Sequence, residues 1–222
     1  MKNLFKRIFK KKENPNDIIT IKTSWDEITV QEMMDITLVL EDEDTDYNKM
    51  QTLVSILTGK DFEYLGKLPM VTYKMLMSCV KFLQEKPEPN KLKKEYVING
   101  HKYKQCADVT RVTTAQFVDY NNYVSNNEKD ITKILSVMLV PEGKEYGQGY
   151  KVEDVQEDLK SMKYKDALAI SFFLQKQFAA YVMLMVDYSE KLMKESNPTE
   201  EQMMKFQAQQ QDLKNTVLFL LS

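Results

Sequence analysis

Histidine, cysteine and clustered carboxylates are the side chains that most often carry acid–base, nucleophilic or metal chemistry, and this chain is poor in the first two. Its one histidine is His101, and its two cysteines are Cys79 and Cys106. A zinc site with two histidines is therefore excluded, and two distant cysteines do not make a four-ligand site. The cysteines read as two buried, reduced thiols. His101 comes directly after Asn99-Gly100 and reads as an exposed residue just past a hairpin tip. The run Glu41-Asp42-Glu43-Asp44-Thr45-Asp46 puts carboxylates at positions 1, 3 and 5 of a calcium loop begun at Asp42. Such a loop needs Gly at its sixth position and a bidentate Glu at its twelfth, and this chain has Tyr47 and Leu53 there. The run reads instead as a solvated, acidic helix start. Gly143, Gly147 and Gly149 fit neither the dinucleotide fingerprint nor the Walker pattern, and no Gly-x-Ser-x-Gly elbow occurs. The Gly- and Tyr-containing stretch 142–151 reads as a structured connection. No catalytic residue, cofactor or metal is expected, and the chain is read as a non-enzyme.

Composition points the same way. The 222 residues are 43% hydrophobic, enough for a sizeable core without disulfide or metal staples. Thirty-one Lys and Arg against 33 Asp and Glu leave a net charge of -2. That balance hides a +6 segment at residues 1–12 on a body of about -8. The 14 methionines fall mainly on helical faces and read as core filling, or as surfaces that adapt to a partner.

The elements are set by periodicity. The expected fold class is mainly α: a helical bundle with one small β-hairpin and a long C-terminal helical hairpin. Residues 1–16 are a basic amphipathic arm and linker. Residues 17–162 are a helical core with the hairpin near 95–106, and residues 163–222 are the long hairpin packing on that core. In the arm, Leu4, Phe5, Ile8 and Phe9 fall on one helical face, and Lys2, Lys6, Arg7, Lys10, Lys11 and Lys12 fill the rest. It is either a solubilising terminus or a contact to an acidic protein, an anionic membrane or nucleic acid, the last not favoured.

A short strand is possible over 17–23. Ser24-Trp25-Asp26-Glu27 and Thr29-Val30-Gln31-Glu32 both read as capping boxes, with Trp25 beneath the first turn of the helix they open. Helices are expected over about 30–40, 45–58, 69–84, 113–124, 129–140, 153–161, 164–196 and 199–221. Asn99-Gly100 predicts a type I′ hairpin turn. From Ala167 to Val186 the one charge is Lys176, so this stretch approaches the length and apolarity of a membrane span. Gln175-Lys176-Gln177 at its midpoint argues for a central, nearly buried bundle helix instead. Gln207 to Gln211 reads as a solvated face. The end, Val217-Leu218-Phe219-Leu220-Leu221, is apolar on more than one face and is a candidate oligomer or partner contact.

The order of these signals carries a resemblance. It rests on Ser24-Trp25-Asp26-Glu27-Ile28-Thr29, Ile56-Leu57-Thr58-Gly59, Phe82-Leu83 and Tyr96-Val97-Ile98-Asn99-Gly100. It continues through Val112-Thr113-Thr114-Ala115-Gln116-Phe117-Val118-Asp119-Tyr120, Leu139-Val140-Pro141-Glu142-Gly143 and Ile170-Ser171-Phe172-Phe173-Leu174. Over about residues 18–180 the chain resembles helical tail-region proteins of crAss-like and related phages of gut Bacteroidetes. The resemblance implies a non-enzymatic virion protein, carried as cargo in the portal and tail barrel and ejected into the host on infection. The alternative it implies is a tail-assembly chaperone absent from the mature virion. Implied partners are other portal and tail proteins, with multiple copies or a homo-oligomer. The implied locations are the virion's portal–tail region and the host cytoplasm during assembly or after ejection. Membrane contact through the arm stays open. The arm and the C-terminal hairpin lie outside the region of resemblance.

Overall fold

A computed structural model describes residues 18–105, 112–126, 130–196 and 198–221. Helices α1 (Val30–Glu41), α2 (Asp46–Thr58), α3 (Phe62–Gly66) and α4 (Met70–Cys79) come first, and a 3-10 turn, Val80–Gln84, closes the group. Strands β1 (Glu95–Ile98) and β2 (His101–Gln105) precede α5 (Thr114–Ser125) and α6 (Ile131–Met138). Strand β3 (Leu139–Pro141), α7 (Val152–Leu159), α8 (Tyr164–Glu195) and α9 (Glu200–Leu221) complete the chain. The fold is mainly α with a small antiparallel sheet, as the periodicity implies.

Helix starts are set by local side chains. Thr29 Oγ1 accepts the Glu32 N–H at 3.3 Å, while Glu32 Oε2 accepts the Thr29 N–H at 3.0 Å. Thr113 with Gln116, and Thr199 with Gln202, repeat this reciprocal pair. In each case two N–H groups that the first turn leaves open find acceptors. Ser24–Glu27 does not open a helix. It is a turn in which Glu27 Oε2 accepts the Thr23 N–H at 2.8 Å, so its carboxylate is used one residue too early to cap a helix. Residues 18–23 join no sheet; the Lys22 N–H donates to Leu57 O at 3.2 Å. Trp25 packs on Phe82 and Tyr164, with ring centroids at 5.4 and 5.9 Å, and its Nε1–H donates to Glu85 O. It therefore wedges between the 3-10 turn and α8 rather than beneath α1.

The acidic run is spent on local structure. Asp44 Oδ1 accepts from Thr45 N and Asn48 Nδ2, and Thr45 caps α2. The hydrogen bond from the Asn48 side chain, aided by the Thr45 N–H, holds the Asp44 carboxyl below its usual range. Helix α3 is an element the periodicity missed. It is five residues long and capped by Asp61, whose carboxylate accepts the Tyr64 N–H at 2.7 Å.

The sheet is larger than the single hairpin expected. A third strand joins it, because β3 pairs with β2 in the register Tyr103↔Pro141, Lys104↔Val140 and Gln105↔Leu139. Pro141 disfavours helical backbone at Val140, so α6 stops at Met138 and the next residues extend. Proline is tolerated there because β3 is an edge. At the hairpin tip, Asn99 and Gly100 take φ of 50° and 82°, the left-handed pair that a type I′ turn requires.

The core forms two clusters. One gathers Tyr96, Tyr103, Leu135, Leu139, Leu159 and Ile170 beneath the sheet; the other gathers Ile36, Val54, Leu57, Leu65 and Leu76 among α1–α4. A short antiparallel bridge joins them, with Thr29 opposite Lys163. The Val30 N–H donates to Met162 O, the Gln31 N–H to Lys160 O, and the Tyr164 N–H to Ile28 O. Each of α1 and α8 thus has first-turn donors satisfied by the segment that leads into the other. Among the described side chains, α8 is buried through Ala167, Ile170 and Leu174 in its first half and through Val186 in its second, where it packs along α9. The glutamine-rich stretch is exposed except at Gln210, which is buried in the α8–α9 seam with Nε2 at 3.4 Å from Val186 O. Replacing Thr29 with Ala is expected to lower the unfolding free energy by about 1 kcal/mol, while Thr29→Ser retains it. Urea denaturation monitored by circular dichroism checks this.

Candidate functional site

The sequence-nominated residues disperse. The arm residues Lys2, Leu4, Phe5, Lys6, Arg7, Ile8, Phe9, Lys10, Lys11 and Lys12 lie outside the described residues, as does Cys106. Val217, Leu218, Phe219, Leu220 and Leu221 fall in the last turns of α9, and their side chains lie outside the described set. Cys79 is a free thiol at the end of α4 and only half-buried, so it is not the core residue expected.

His101 is the nominated side chain that gains a defined setting. It opens β2 and is exposed, and its Nδ1–H donates to Asp158 Oδ2 at 2.5 Å. The same oxygen accepts the Tyr103 hydroxyl at 2.5 Å. Asn99 Nδ2 donates to Asp158 Oδ1 at 3.0 Å and to Ser161 Oγ at 3.3 Å. Three donors from the hairpin tip therefore converge on one carboxylate near the end of α7. The alternation of β2 makes this possible, since His101 and Tyr103 share a face, with Lys102 directed the other way. Partial burial works to raise the Asp158 pKa, but the hydrogen bonds from His101, Tyr103 and Asn99 outweigh it and hold the carboxyl below its usual range. Burial pushes the Tyr103 phenol well above its usual value, and the Asp158 hydrogen bond and charge add to that. Tyr103 therefore stays protonated and serves as a donor.

The cluster borders an open cleft of about 740 Å³, lined also by Glu142, Tyr150, Lys151, Asp154 and Glu157. An imidazole held by a carboxylate is an arrangement able to move protons. Here the carboxylate is shared with a phenol and an amide, and the hydroxyls lining the cleft belong to Tyr103 and Tyr150. Tyr150 accepts the Gly147 N–H, and in the same loop Tyr146 donates to Asp119 at 2.8 Å. The geometry is that of a latch fastening the hairpin to α7. Among the described residues no group of three or more His, Cys, Asp or Glu side chains is placed to hold a metal ion, and no helix is long and apolar enough to cross a membrane.

Two apolar surfaces were not legible as surfaces in the sequence. Met70, Val71 and Met75 stand exposed on α4. Leu184, Tyr188 and Leu192 stand exposed along the second half of α8. Their i, i+4, i+8 spacing was visible, but the same spacing also describes a buried face.

No protein-family model, curated protein or solved structure matches this chain.

Asp158→Asn is expected to cost about 2 kcal/mol at neutral pH, because the hairpin donors lose a charged acceptor. A carboxyl whose pKa is depressed on folding stabilises above its unfolded pKa, and that contribution is lost as pH falls through its folded value. The stability difference between wild type and Asp158→Asn should therefore hold through mildly acidic pH and disappear in strong acid. Urea titrations over a pH series measure it.

Proposed function

We propose that the chain is a non-enzymatic phage virion protein, carried as cargo in the portal and tail barrel and delivered into the host on infection. The observation that carries this reading is the pattern of packing. Many paired elements follow one another in the chain: α1 with α2, β1 with β2, α5 with α6 and α8 with α9, while α6 and α7 are separated by β3 and a loop. A chain built from local pairs refolds quickly, because few long loops must close before contacts form. That property suits a protein that must pass a narrow channel extended and recover its fold beyond it.

The resemblance motifs support the reading by their placement. Thr113-Thr114-Ala115-Gln116 caps α5, Thr58-Gly59 ends α2, and Asn99-Gly100 forms the hairpin tip. These are the positions where a fold is specified by caps and turns rather than by bulk hydrophobicity. Exposed apolar side chains on α4 suit contacts with portal and tail proteins. The adaptable methionines of the α4 surface also favour a second reading, a tail-assembly chaperone. Mass spectrometry separates the two. Cargo is expected in purified, nuclease-treated particles; presence in infected cells with absence from particles would identify the chaperone instead.

A further inference from the structure

The second half of α8 carries an apolar ridge that its hairpin partner leaves open. Ala180, Leu184, Tyr188 and Leu192 recur every fourth residue, and the three large side chains are 64%, 57% and 48% exposed. Ala179 and Val186, on the opposite side of the helix, are buried, and Val186 O lies 3.4 Å from Gln210 Nε2 of α9. Leaving this much aromatic and aliphatic surface in water is unfavourable, at about 25 cal/mol per Å² of apolar area.

Three features identify what covers it. The first is charge. From Lys176 to Glu195 the helix holds three lysines and three carboxylates, and no charge falls between Lys176 and Asp187. A polyanion, or a basic segment such as residues 1–12, therefore finds no net charge to draw it to this surface. The second is shape. An i±4 ridge packs into the groove beside an identical ridge, the commonest class of helix crossing, at about -50°. The third is symmetry. Asp187 and Lys191 flank Tyr188, so a two-fold axis near Tyr188 brings each acid toward a base of the other copy.

We propose that a second copy of this chain docks on the α8 ridge, giving a two-fold dimer centred near Tyr188. Two α8–α9 hairpins then form a four-helix arrangement, with Leu184, Tyr188 and Leu192 of both copies as its central anchors. This pairing does not depend on where the protein acts, so it stands or falls separately from the virion reading.

Light scattering coupled to size exclusion of the full chain tests it. Wild type is expected at twice the mass of one chain. Leu184→Asp and Tyr188→Asp are expected to halve the measured mass with helical circular dichroism unchanged, while Met75→Asp on α4 leaves the dimer intact. A chain lacking residues 1–12 should remain dimeric; a monomer there would give the ridge to the arm and overturn the proposal. Should the aspartate variants fail to fold, Tyr188→Cys decides, since its thiols should cross-link the two copies under mild oxidation. A monomeric wild type, a dimer that survives both ridge substitutions, or a Tyr188→Cys chain that does not cross-link would overturn it.

Discussion

Helices α1 and α8 begin at the same place, and each needs the other to begin there. The first turn of a helix leaves N–H groups without acceptors. Here Met162 O and Lys160 O accept from Val30 and Gln31, and Ile28 O accepts from Tyr164. The bridge also sits where the two core clusters meet. Ile28 and Tyr164 belong with the helices of the first third, and Val30 and Met162 with the cluster beneath the sheet. Residues far apart in the chain must come together to form it, as they must for the β2–β3 pairing and the Asp158 latch. Loss of these bonds would leave buried donors unpaired at the starts of two helices at once.

Around that junction, carboxylates rather than hydrophobic contacts fix the smaller pieces. Glu32 completes the α1 cap and pairs with Lys22 at 2.6 Å. Asp166, mostly buried in the first turn of α8, accepts from Asn90 and Lys93 and so holds the segment before β1 against that helix. Asp158 does the same for the hairpin tip. Asp166 and Asp158 are acids near helix ends reaching segments distant in sequence, while Glu32 reaches back ten residues. The carboxylates of the acidic body therefore have a structural use.

Elements governed by local chemistry were legible in the sequence. Thr29, Thr113 and Thr199 with their partners three residues on, and Asn99-Gly100 at the hairpin, specify their own geometry through short-range bonds and backbone preference. Features decided by tertiary partners were not. Ser24 and Glu27 carry the same signature as Thr29 and Glu32, yet form a turn, because the backbone at Ile28 and Thr29 is committed to the bridge rather than to a helix. The third strand depends on β2 being available to pair with the residues that Pro141 extends. Burial was the least legible quantity. Leu184 and Ile170 occupy the same kind of position in the pattern of α8, and only the packing of the body against one of them separates them. The latch at Asp158 had no sequence signal, since its members lie more than fifty residues apart.

Helix α8 runs 32 residues without a proline or glycine, a length of about 48 Å at the usual rise. A helix of that kind has no built-in joint at which to bend. Its second half therefore behaves as a lever held by the first half, which is buried at Ala167, Ile170 and Leu174. A small rotation of the buried half is magnified along the rod, and a load on the far end returns to the core around Ile170. Mechanically, the aim of the outer surface of α8 is set not by the surface itself but by the core burial of Ala167, Ile170 and Leu174 and the backbone bridge at the start of the helix.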